Sequence, residues 1–269
     1  MATLKDVERI VIKVGTSTLA HDTGKANIRQ MKKLVTVISD IVNSGKQVAL
    51  VTSGAIGVGA GKLGLKERPN TTAGKQAAAT IGQCKLMFMY DKMFGEYGHT
   101  IGQFLITKRD VDNLECRENL ISAFEETFNL GAIPVINEND AVAIEEIVYG
   151  DNDSLSAIVA KLIGADALLI LTDIDGLYTG NPNEDEYARI IPVVTEITDE
   201  LYKIAGGKGS KFGTGGMVTK LHAAEIATEA GIDTIVLNGG DAENIYRVLE
   251  GHQVGTFFVA KESKQLELE

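Results

Sequence analysis

Short apolar runs of strand length alternate with longer helical patterns along most of the chain. Strands that alternate with helices are typical of a parallel sheet, because the crossover between two parallel strands needs a connection of helix length. The pattern therefore predicts an α/β fold, with a mostly parallel central sheet and helices on both of its faces. The apolar runs interpreted as strands are Arg9–Val14, Gln47–Val51, Ile101–Ile106, Ala132–Ile136, Ala167–Leu171 and Asp233–Leu237.

Between these strands, apolar residues recur at the spacing of one helix face. The clearest such helix begins near Ile28 and ends near Val42, with Asn27 as its N-cap and Gly45 just beyond its end. The glycine-rich segment Ser53–Gly64 is predicted to form a turn rather than a helix. Further helices are predicted over Ala73–Tyr97, before Gly131, and over Met217–Ala230.

The composition allows a large core and argues against anionic partners. Of the 269 residues, 44% are hydrophobic, and 26 basic against 37 acidic residues give a net charge of −11. An acidic surface repels nucleic acid and anionic membranes, so broad binding to either is not expected. The N-terminus lacks the apolar core of a signal peptide, and Lys161 and Asp166 interrupt the most apolar stretch, near Ile158–Leu171. We therefore expect a cytoplasmic protein without a membrane span.

The cysteines and histidines indicate no metal chemistry. Cys84 and Cys116 lack the CxxC spacing of a structural zinc site. Both lie in helical patterns, and we expect them to be reduced, buried thiols. The four histidines show neither metal-ligand nor triad spacing, so no role is assigned to them.

Two common nucleotide signatures fit the chain poorly. Gly59–Gly64 matches the dinucleotide pattern GxGxxG, but it lies well after the second strand, whereas that pattern belongs in the first strand-to-helix turn. The P-loop pattern GxxxxGK[ST] is absent. A phosphate site in this chain therefore needs a different cradle.

Three other segments lie where a parallel sheet presents its ligand crevice. Lys13–Ser17 ends the first strand, where Gly15 lets backbone N–H groups approach a phosphate and Lys13 adds positive charge. Thr52–Ala55 ends the second strand. Gly213–Lys220 opens a helix, whose unpaired N–H groups and dipole favour an anion. Together these segments predict a phosphate-binding site.

Two clusters of Asn and Asp add a second polar constellation. Asn137–Asp140 follows a predicted strand, and Gly150–Ser154 precedes a helix. A polar turn and an ordinary helix cap would also explain them. Because both lie at the ligand-facing edge, we favour a polar substrate with hydrogen-bonding groups at both ends. In Thr172–Tyr178, after another buried strand, Tyr178 either flanks a purine or closes the core.

Taken in order, these motifs resemble those of the glutamate 5-kinases, a branch of the amino acid kinase family. The pair of Asn/Asp clusters is the specific part, because the acetylglutamate, aspartate, carbamate and uridylate kinases share the lysine and glycine segments but differ there. The resemblance runs from about Arg9 to Phe258, and its motifs are Lys13–Ser17, Val51–Ala55, Asn137–Asp140, Gly150–Asp153, Leu171–Asp173 and Gly213–Lys220.

The resemblance implies a three-layer αβα sandwich formed by one domain over residues 1–260. Residues 1–170 would form a substrate lobe and residues 171–260 an ATP lobe, followed by a charged tail at 261–269. Many members of the family carry an additional C-terminal PUA domain. This chain ends before such a domain, so the resemblance implies either a short form or a truncated chain.

The resemblance also implies a role for each motif residue. Lys13 and Lys220 would contact the transferring phosphoryl group, and Asp153 would orient both lysines. Mg²⁺ would be held mainly by the ATP phosphates, without a direct protein ligand. Glutamate binding is implied for Ser53, Asp140 and Asn152. ATP binding is implied for Lys13, Gly15, Thr172, Asp173, Thr214, Gly215, Gly216, Met217, Val218, Thr219 and Lys220.

The implied activity is ATP-dependent phosphorylation of the γ-carboxylate of L-glutamate to γ-glutamyl phosphate, the first step of proline biosynthesis. Proline is the implied feedback inhibitor, glutamyl phosphate reductase a partner, and a homo-oligomer, dimer or tetramer, the assembly. Three alternatives stay open. They are a kinase of a related acid such as N-acetylglutamate or aspartate, a dinucleotide-dependent oxidoreductase that uses Gly59–Gly64, and a non-catalytic amino-acid sensor.

Overall fold

A computed structural model describes residues 4, 6–21, 25–143, 152–182, 184–206 and 216–261. The strands are β1 (Arg9–Val14), β2 (Gln47–Val51), β3 (Ile101–Ile106), β4 (Ile133–Glu138), β5 (Ala167–Thr172), β6 (Val193–Val194), β7 (Asp233–Asn238) and β8 (Thr256–Phe258). The helices are α1 (Thr16–Leu19), α2 (Ile28–Asn43), α3 (Ala55–Lys62), α4 (Thr72–Gly95), α5 (Lys108–Asp112), α6 (Leu114–Asn129), α7 (Asn152–Leu162), α8 (Asp199–Ile204), α9 (Met217–Glu229) and α10 (Asn244–Leu249).

The strands form one eight-stranded sheet in the order β3-β4-β2-β1-β5-β7-β8-β6. The β7–β8 pair is antiparallel, and every other described pairing in the sheet is parallel. On one side of β1 lie β2, β4 and β3, which follow it in the chain. The chain then returns, and β5 lies on the other side of β1. Ligands of open parallel sheets bind at such a reversal, beyond the carboxyl ends of the strands.

Apolar cores cover both faces of the sheet, which gives three layers. On β1, Ile10 and Ile12 belong to the core shared with α2 and α4, whereas Val11 belongs to the core shared with α6, α7 and α9. This alternation follows from the two-residue period of a strand. The predicted αβα sandwich is confirmed. Because side chains alternate along β1, Lys13, which follows Ile12, lies on the same face as Val11, toward α7.

All six predicted strands match observed ones within two residues at each end. The Asn27 side chain caps α2, as predicted, by accepting a hydrogen bond from the Gln30 backbone. The lobe boundary predicted near residue 170 falls near the end of β5, inside the continuous sheet, and it stays a prediction. Among the described residues, no helix is long and apolar enough to cross a membrane.

Two predictions are wrong. The segment Ser53–Gly64 is not a turn, because most of it forms helix α3. Gly59 of α3 lies against α4, because a Cβ atom on it would lie 1.8 Å from the Ala78 carbonyl oxygen. In return, a Cβ atom on Gly82 of α4 would lie 1.7 Å from the Ala55 carbonyl oxygen. Close contact between the two backbones therefore selects glycine and overrides its poor helix propensity.

The prediction that both cysteines are buried is the second wrong one. Cys84 on α4 and Cys116 on α6 are both exposed free thiols. On α4 the buried face contains Gln83 and Leu86, and Cys84 points away from it. A helical pattern alone does not tell which face a small residue of intermediate polarity occupies.

Candidate active site

A cleft of about 580 Å³ lies at the carboxyl ends of β1, β2, β4 and β5. It receives side chains and backbone from both sides of β1, as expected where the strand order reverses. Its wall includes the charged residues Arg68, Lys75, Glu138 and Asp140. The predicted site residues that line the cleft are Lys13, Gly15, Ser53, Asp140, Asn152, Asp153, Thr172, Asp173 and Lys220.

At the centre of the cleft, one buried carboxylate contacts two lysines. The ammonium of Lys13, near the end of β1, lies 2.5 Å from Oδ1 of Asp153, and that of Lys220 lies 3.1 Å from Oδ2. Asp153 is fully buried in the first turn of α7, and Lys220 lies in the first turn of α9. The Thr219 hydroxyl also donates to Oδ2, at 2.8 Å. The three charged groups predicted from separate motifs are thus in direct contact.

The contacts of Asp153 with the two lysines keep its carboxylate charged. Burial by itself would raise the pKa of Asp153, but Lys13 and Lys220, helped by the Thr219 hydroxyl, hold that pKa below its ordinary value. Asp153 is therefore ionised at neutral pH. Two lysine side chains thus meet one ionised carboxylate at the wall of the cleft, where burial weakens screening by water.

The start of one helix lies at the wall of the cleft, and a second helix reaches that wall through Lys220. Gly54 precedes α3 with a φ of +95°, a conformation that favours glycine, and no side chain caps the helix. Residues Ser53 to Gly57 line the cleft, so backbone N–H groups of the first turn lie at its wall. On the other side, α9 contributes Lys220 to the wall, whereas Gly216, Met217, Val218 and Thr219 are not among the lining residues. Gly216 precedes the helix, again without a side-chain cap. Such helix starts favour anionic groups through their unpaired N–H groups and their dipole.

On the β2 side, Asn152 joins the two predicted Asn/Asp clusters. Its amide nitrogen lies 2.6 Å from the Thr52 carbonyl oxygen, 2.8 Å from the Ser53 hydroxyl and 2.9 Å from Oδ1 of Asn137. Asp140 lines the cleft nearby. The structure therefore brings the predicted glutamate-binding residues to one end of the cleft, with Asp153 following Asn152 in the chain.

Toward β5, the cleft has the other predicted residues. Thr172 is buried at the end of the strand, and its hydroxyl donates to Oδ1 of Asp173 at 3.1 Å. Tyr178 does not reach the wall of the cleft; its hydroxyl donates to Asp175 at 3.3 Å. Gly216 to Lys220 start α9 as described above, whereas Thr214 and Gly215, with Gly150 and Asp151, lie outside the described residues.

The structure adds residues that the motifs do not indicate. Arg68 and Lys75 line the cleft from the loop after α3 and the start of α4. The Arg68 guanidinium lies over Gly57, since a Cβ there would be 3.2 Å from Nη2. Both residues belong to segments without a recognisable nucleotide or substrate motif, and only the folding of α4 against α3 brings them to the cleft.

The dinucleotide pattern has a structural explanation. Gly59 is buried against α4 and is not part of the cleft wall. Helix packing therefore explains Gly59, and a φ of +67° explains Gly64, so no nucleotide is needed to account for these two glycines.

Comparison with known proteins shows the family and the fold. The model of the Amino acid kinase family matches residues 8–238. Two solved structures share the fold. One is a UMP kinase from Bacillus anthracis, at a TM-score of 0.64 and 17% identity over 95% of this chain and 97% of that one. The other is an isopentenyl phosphate kinase, with a TM-score of 0.63 and 16% identity, and the match covers 93% of this chain and 100% of that one.

Curated relatives are far more similar in sequence. A glutamate 5-kinase from Clostridium perfringens is 51% identical over 97% of this chain and 98% of its own length. A glutamate 5-kinase from Listeria innocua is 49% identical over 97% of this chain and 96% of its own length. The family match, the fold and these relatives agree with one another. The chain therefore belongs to the amino acid kinase family and, within it, to the glutamate 5-kinases.

Proposed function

We propose that the chain transfers the γ-phosphoryl group of ATP to the γ-carboxylate of L-glutamate, giving γ-glutamyl phosphate and ADP. The observation that carries this proposal is the contact of Lys13 and Lys220 with buried Asp153, directly beside Asn152. A phosphoryl group placed between the two lysines would lie next to the polar pocket for the acceptor. The glutamate 5-kinases that are about half identical to this chain support glutamate as that acceptor.

The chemistry suits these residues. A γ-carboxylate has a reference pKa of about 4.3, so it is already ionised at neutral pH and needs no general base. The difficulty is to bring two anions together, and positioning and positive charge must supply the catalysis. Both oxygens of Asp153 contact cationic or hydroxyl groups, so this residue orients Lys13 and Lys220 rather than removing a proton.

We assign the two ends of the cleft to the two substrates. Ser53, Asp140 and Asn152 would bind the amino acid end of glutamate. At the β5 side, Thr172 and Asp173 would contact the nucleotide, while Gly15 and the segment from Thr214 to Lys220 would surround the phosphates. The dipole at the start of α9, where no side chain of the N-cap residue Gly216 caps the helix, supports this placement.

Magnesium fits the site as a companion of the nucleotide. The described residues contain no group of three or more His, Cys, Asp or Glu side chains that could hold a metal ion. Asp153, the buried carboxylate of the cleft, is engaged by two lysines. We therefore propose that the ATP phosphates hold Mg²⁺, which would neutralise charge on the phosphate oxygens during transfer.

The product suggests the wider role. γ-Glutamyl phosphate is an acyl phosphate, so it needs a reductive step before cyclisation or hydrolysis destroys it. We propose that the chain catalyses the first step of proline biosynthesis in the cytoplasm, with glutamyl phosphate reductase as a partner and proline as a feedback inhibitor. We further propose a homo-oligomer, either a dimer or a tetramer.

The proposal is tested by trapping the acyl phosphate with hydroxylamine. The protein is incubated with ATP, Mg²⁺ and L-glutamate, N-acetyl-L-glutamate or L-aspartate in parallel reactions, each with and without added proline. Hydroxamate from L-glutamate alone is the expected result. Hydroxamate from another acid would move the substrate assignment and keep the phosphoryl chemistry, and no hydroxamate from folded protein would contradict the proposal.

A kinase of a related acid is the second candidate. Arg68 and Lys75 in the cleft wall are compatible with several dicarboxylates, and the parallel reactions distinguish these acids directly. A non-catalytic sensor would bind glutamate or proline without consuming ATP, and its pocket would not need Lys13 and Lys220 together.

A further inference from the structure

Gln83 lies behind the cleft, outside the motifs and outside the cleft wall. It belongs to the buried face of α4 and is 8% exposed. Its carboxamide oxygen accepts a hydrogen bond from Nδ2 of Asn137, at 2.9 Å. No described group accepts a hydrogen bond from its own amide nitrogen. A buried amide donor without a partner is unfavourable, so packing alone does not explain a glutamine at this position.

The hydrogen bond from Asn137 to Gln83 has a fixed direction. The backbone N–H of Glu138 donates to Oδ1 of Asn137 at 2.9 Å, and a backbone N–H can only donate. The oxygen of the Asn137 amide must therefore face this N–H, and its NH₂ group must face Gln83. Gln83 supplies the acceptor that this orientation needs.

The same direction continues to Asn152. Because Asn137 presents its oxygen, Asn152 presents its NH₂ group, which also faces the Thr52 carbonyl and the Ser53 hydroxyl. None of the hydrogen bonds that Asn152 makes to described residues uses its own oxygen. The Ser53 hydroxyl accepts from Asn152 and keeps its proton for another partner.

We propose that Gln83 is a positioning residue for the amino acid substrate. By accepting from Asn137, it maintains an amide chain, Gln83–Asn137–Asn152, that leaves the Asn152 oxygen to accept from the α-ammonium of the substrate. The same amide chain lets the Ser53 hydroxyl donate its proton to a carboxylate of the substrate. This inference rests on the proposed function and adds a specificity device to it, namely selection for a free ammonium group.

The test begins with Gln83→Met, which keeps the volume of the side chain and removes the acceptor. We expect the KM for L-glutamate to rise about 10- to 100-fold, the range that follows from leaving one buried donor unpaired. The KM for ATP should stay within about 2-fold, because the nucleotide end does not contact this chain of amides. Gln83→Glu, which offers an oxygen acceptor, should recover most of the affinity for glutamate.

A double-mutant cycle separates positioning from a general structural effect. If Gln83 acts through Asn152, adding Gln83→Met to Asn152→Ala should change the KM for glutamate by less than about 2-fold, since coupled residues are not additive. Leu86→Ala, one turn along the same buried face of α4, is the control. It should lower the melting temperature and leave the KM of the folded protein unchanged.

The outcomes are distinct. An unchanged KM in Gln83→Met, or an equal effect in the presence and absence of Asn152, would overturn the inference and leave the proposed function intact. If the parent protein shows no phosphorylation of glutamate, the proposed function fails first. In that case direct binding of L-glutamate to the parent protein and to Gln83→Met still tests the amide chain, with weaker binding to the variant expected and equal binding contradicting it.

Discussion

The ammonium of Lys13 lies 2.5 Å from the carboxylate of Asp153, which joins the end of the central strand to the first turn of a distant helix. Lys220 contacts the second oxygen of the same carboxylate from a third element. Buried charges are unfavourable unless paired, so each member of this cluster depends on the others for its position. In the proposed reaction, this cluster would hold two cations beside the phosphoryl group that is transferred.

Removing either lysine should abolish most of the activity. Lys13→Ala and Lys220→Ala are each expected to lower kcat by about 100- to 1,000-fold, the loss seen when one preorganised donor to a developing charge is removed. The measurement is steady-state hydroxamate formation, with circular dichroism to show that the variants are folded. Lys32→Ala, at an exposed surface ion pair with Glu96, is the matched control and should keep normal turnover. Near-normal kcat in either cleft variant would refute the role of that lysine.

Asp153→Asn should also lower kcat about 100-fold, because it leaves Lys13 and Lys220 without their shared anion and misplaces them. Its effect should not depend on pH between about 6 and 9, since the pKa of Asp153 lies below its ordinary value of 3.8. A rate profile in the parent protein that rises with deprotonation of an aspartate, and disappears in this variant, would instead indicate a general base.

The same residue makes a prediction about stability against acid. The folded state lowers the pKa of Asp153, so its ion pairs stabilise the protein above pH 3.8 and this stabilisation is lost as the pH falls through the folded pKa. At neutral pH, Asp153→Asn should lower the free energy of unfolding by about 3–5 kcal/mol, the usual cost of breaking a buried ion pair.

Urea unfolding of the parent and Asp153→Asn proteins, measured from pH 7 down to pH 3, checks this prediction. The difference in the free energy of unfolding should be constant near neutrality and should shrink below about pH 4. A difference that stays the same, or grows, toward low pH would contradict the ion-pair account of the cluster.

Ser53→Ala tests the assignment of the amino acid end. The variant removes one acceptor of the Asn152 amide and one donor to the substrate, so the KM for L-glutamate should rise about 10-fold. The KM for ATP should not change. Ser122→Ala, which removes an exposed hydroxyl on α6, is the control. If the KM for ATP rises and that for glutamate does not, the two ends of the cleft are assigned the wrong way round.

The packing of α3 on α4 gives a test of the glycine pattern. In Gly59→Ala, the new methyl group would collide with the Ala78 carbonyl, so the free energy of unfolding should fall by about 1–3 kcal/mol or more. Gly95→Ala, where a Cβ meets nothing within 4 Å, should be neutral or stabilising. Equal stability of Gly59→Ala and the parent protein would show that the helices do not approach as described.

Much of this architecture is readable from the residues alone. The strand Arg9–Val14 is predicted with its observed ends because an apolar run meets glycine and polar residues beyond it. Lys13, Asp153 and Lys220 are each recognisable within a motif. Helix α3 cannot be predicted from the sequence, because glycine has a low intrinsic helix propensity. Gly59 is required there by its contact with α4, a segment that is distant in the chain.

The relationships among site residues depend on the order of the strands. Nothing along the chain indicates that β5 returns to the side of β1 opposite β2, and this return closes the cleft around Lys13. Gln83 shows the same limit, because a glutamine in a helical pattern is normally expected on the surface. Its burial becomes visible only when α4 lies against β4 and Asn137.

The most direct measurement of the central claim follows the oxygen atoms of the acceptor. L-Glutamate labelled with ¹⁸O in its γ-carboxylate is incubated with ATP, Mg²⁺ and hydroxylamine, and the released inorganic phosphate is examined by mass spectrometry. Attack of the γ-carboxylate on ATP makes an acyl phosphate whose bridging oxygen comes from glutamate. Hydroxylamine then attacks the acyl carbon and expels that oxygen with the phosphate.

We predict one ¹⁸O atom in each phosphate formed with the parent protein and almost no phosphate with Lys220→Ala. Phosphate without ¹⁸O would mean that water, not glutamate, accepts the phosphoryl group, and would contradict the account.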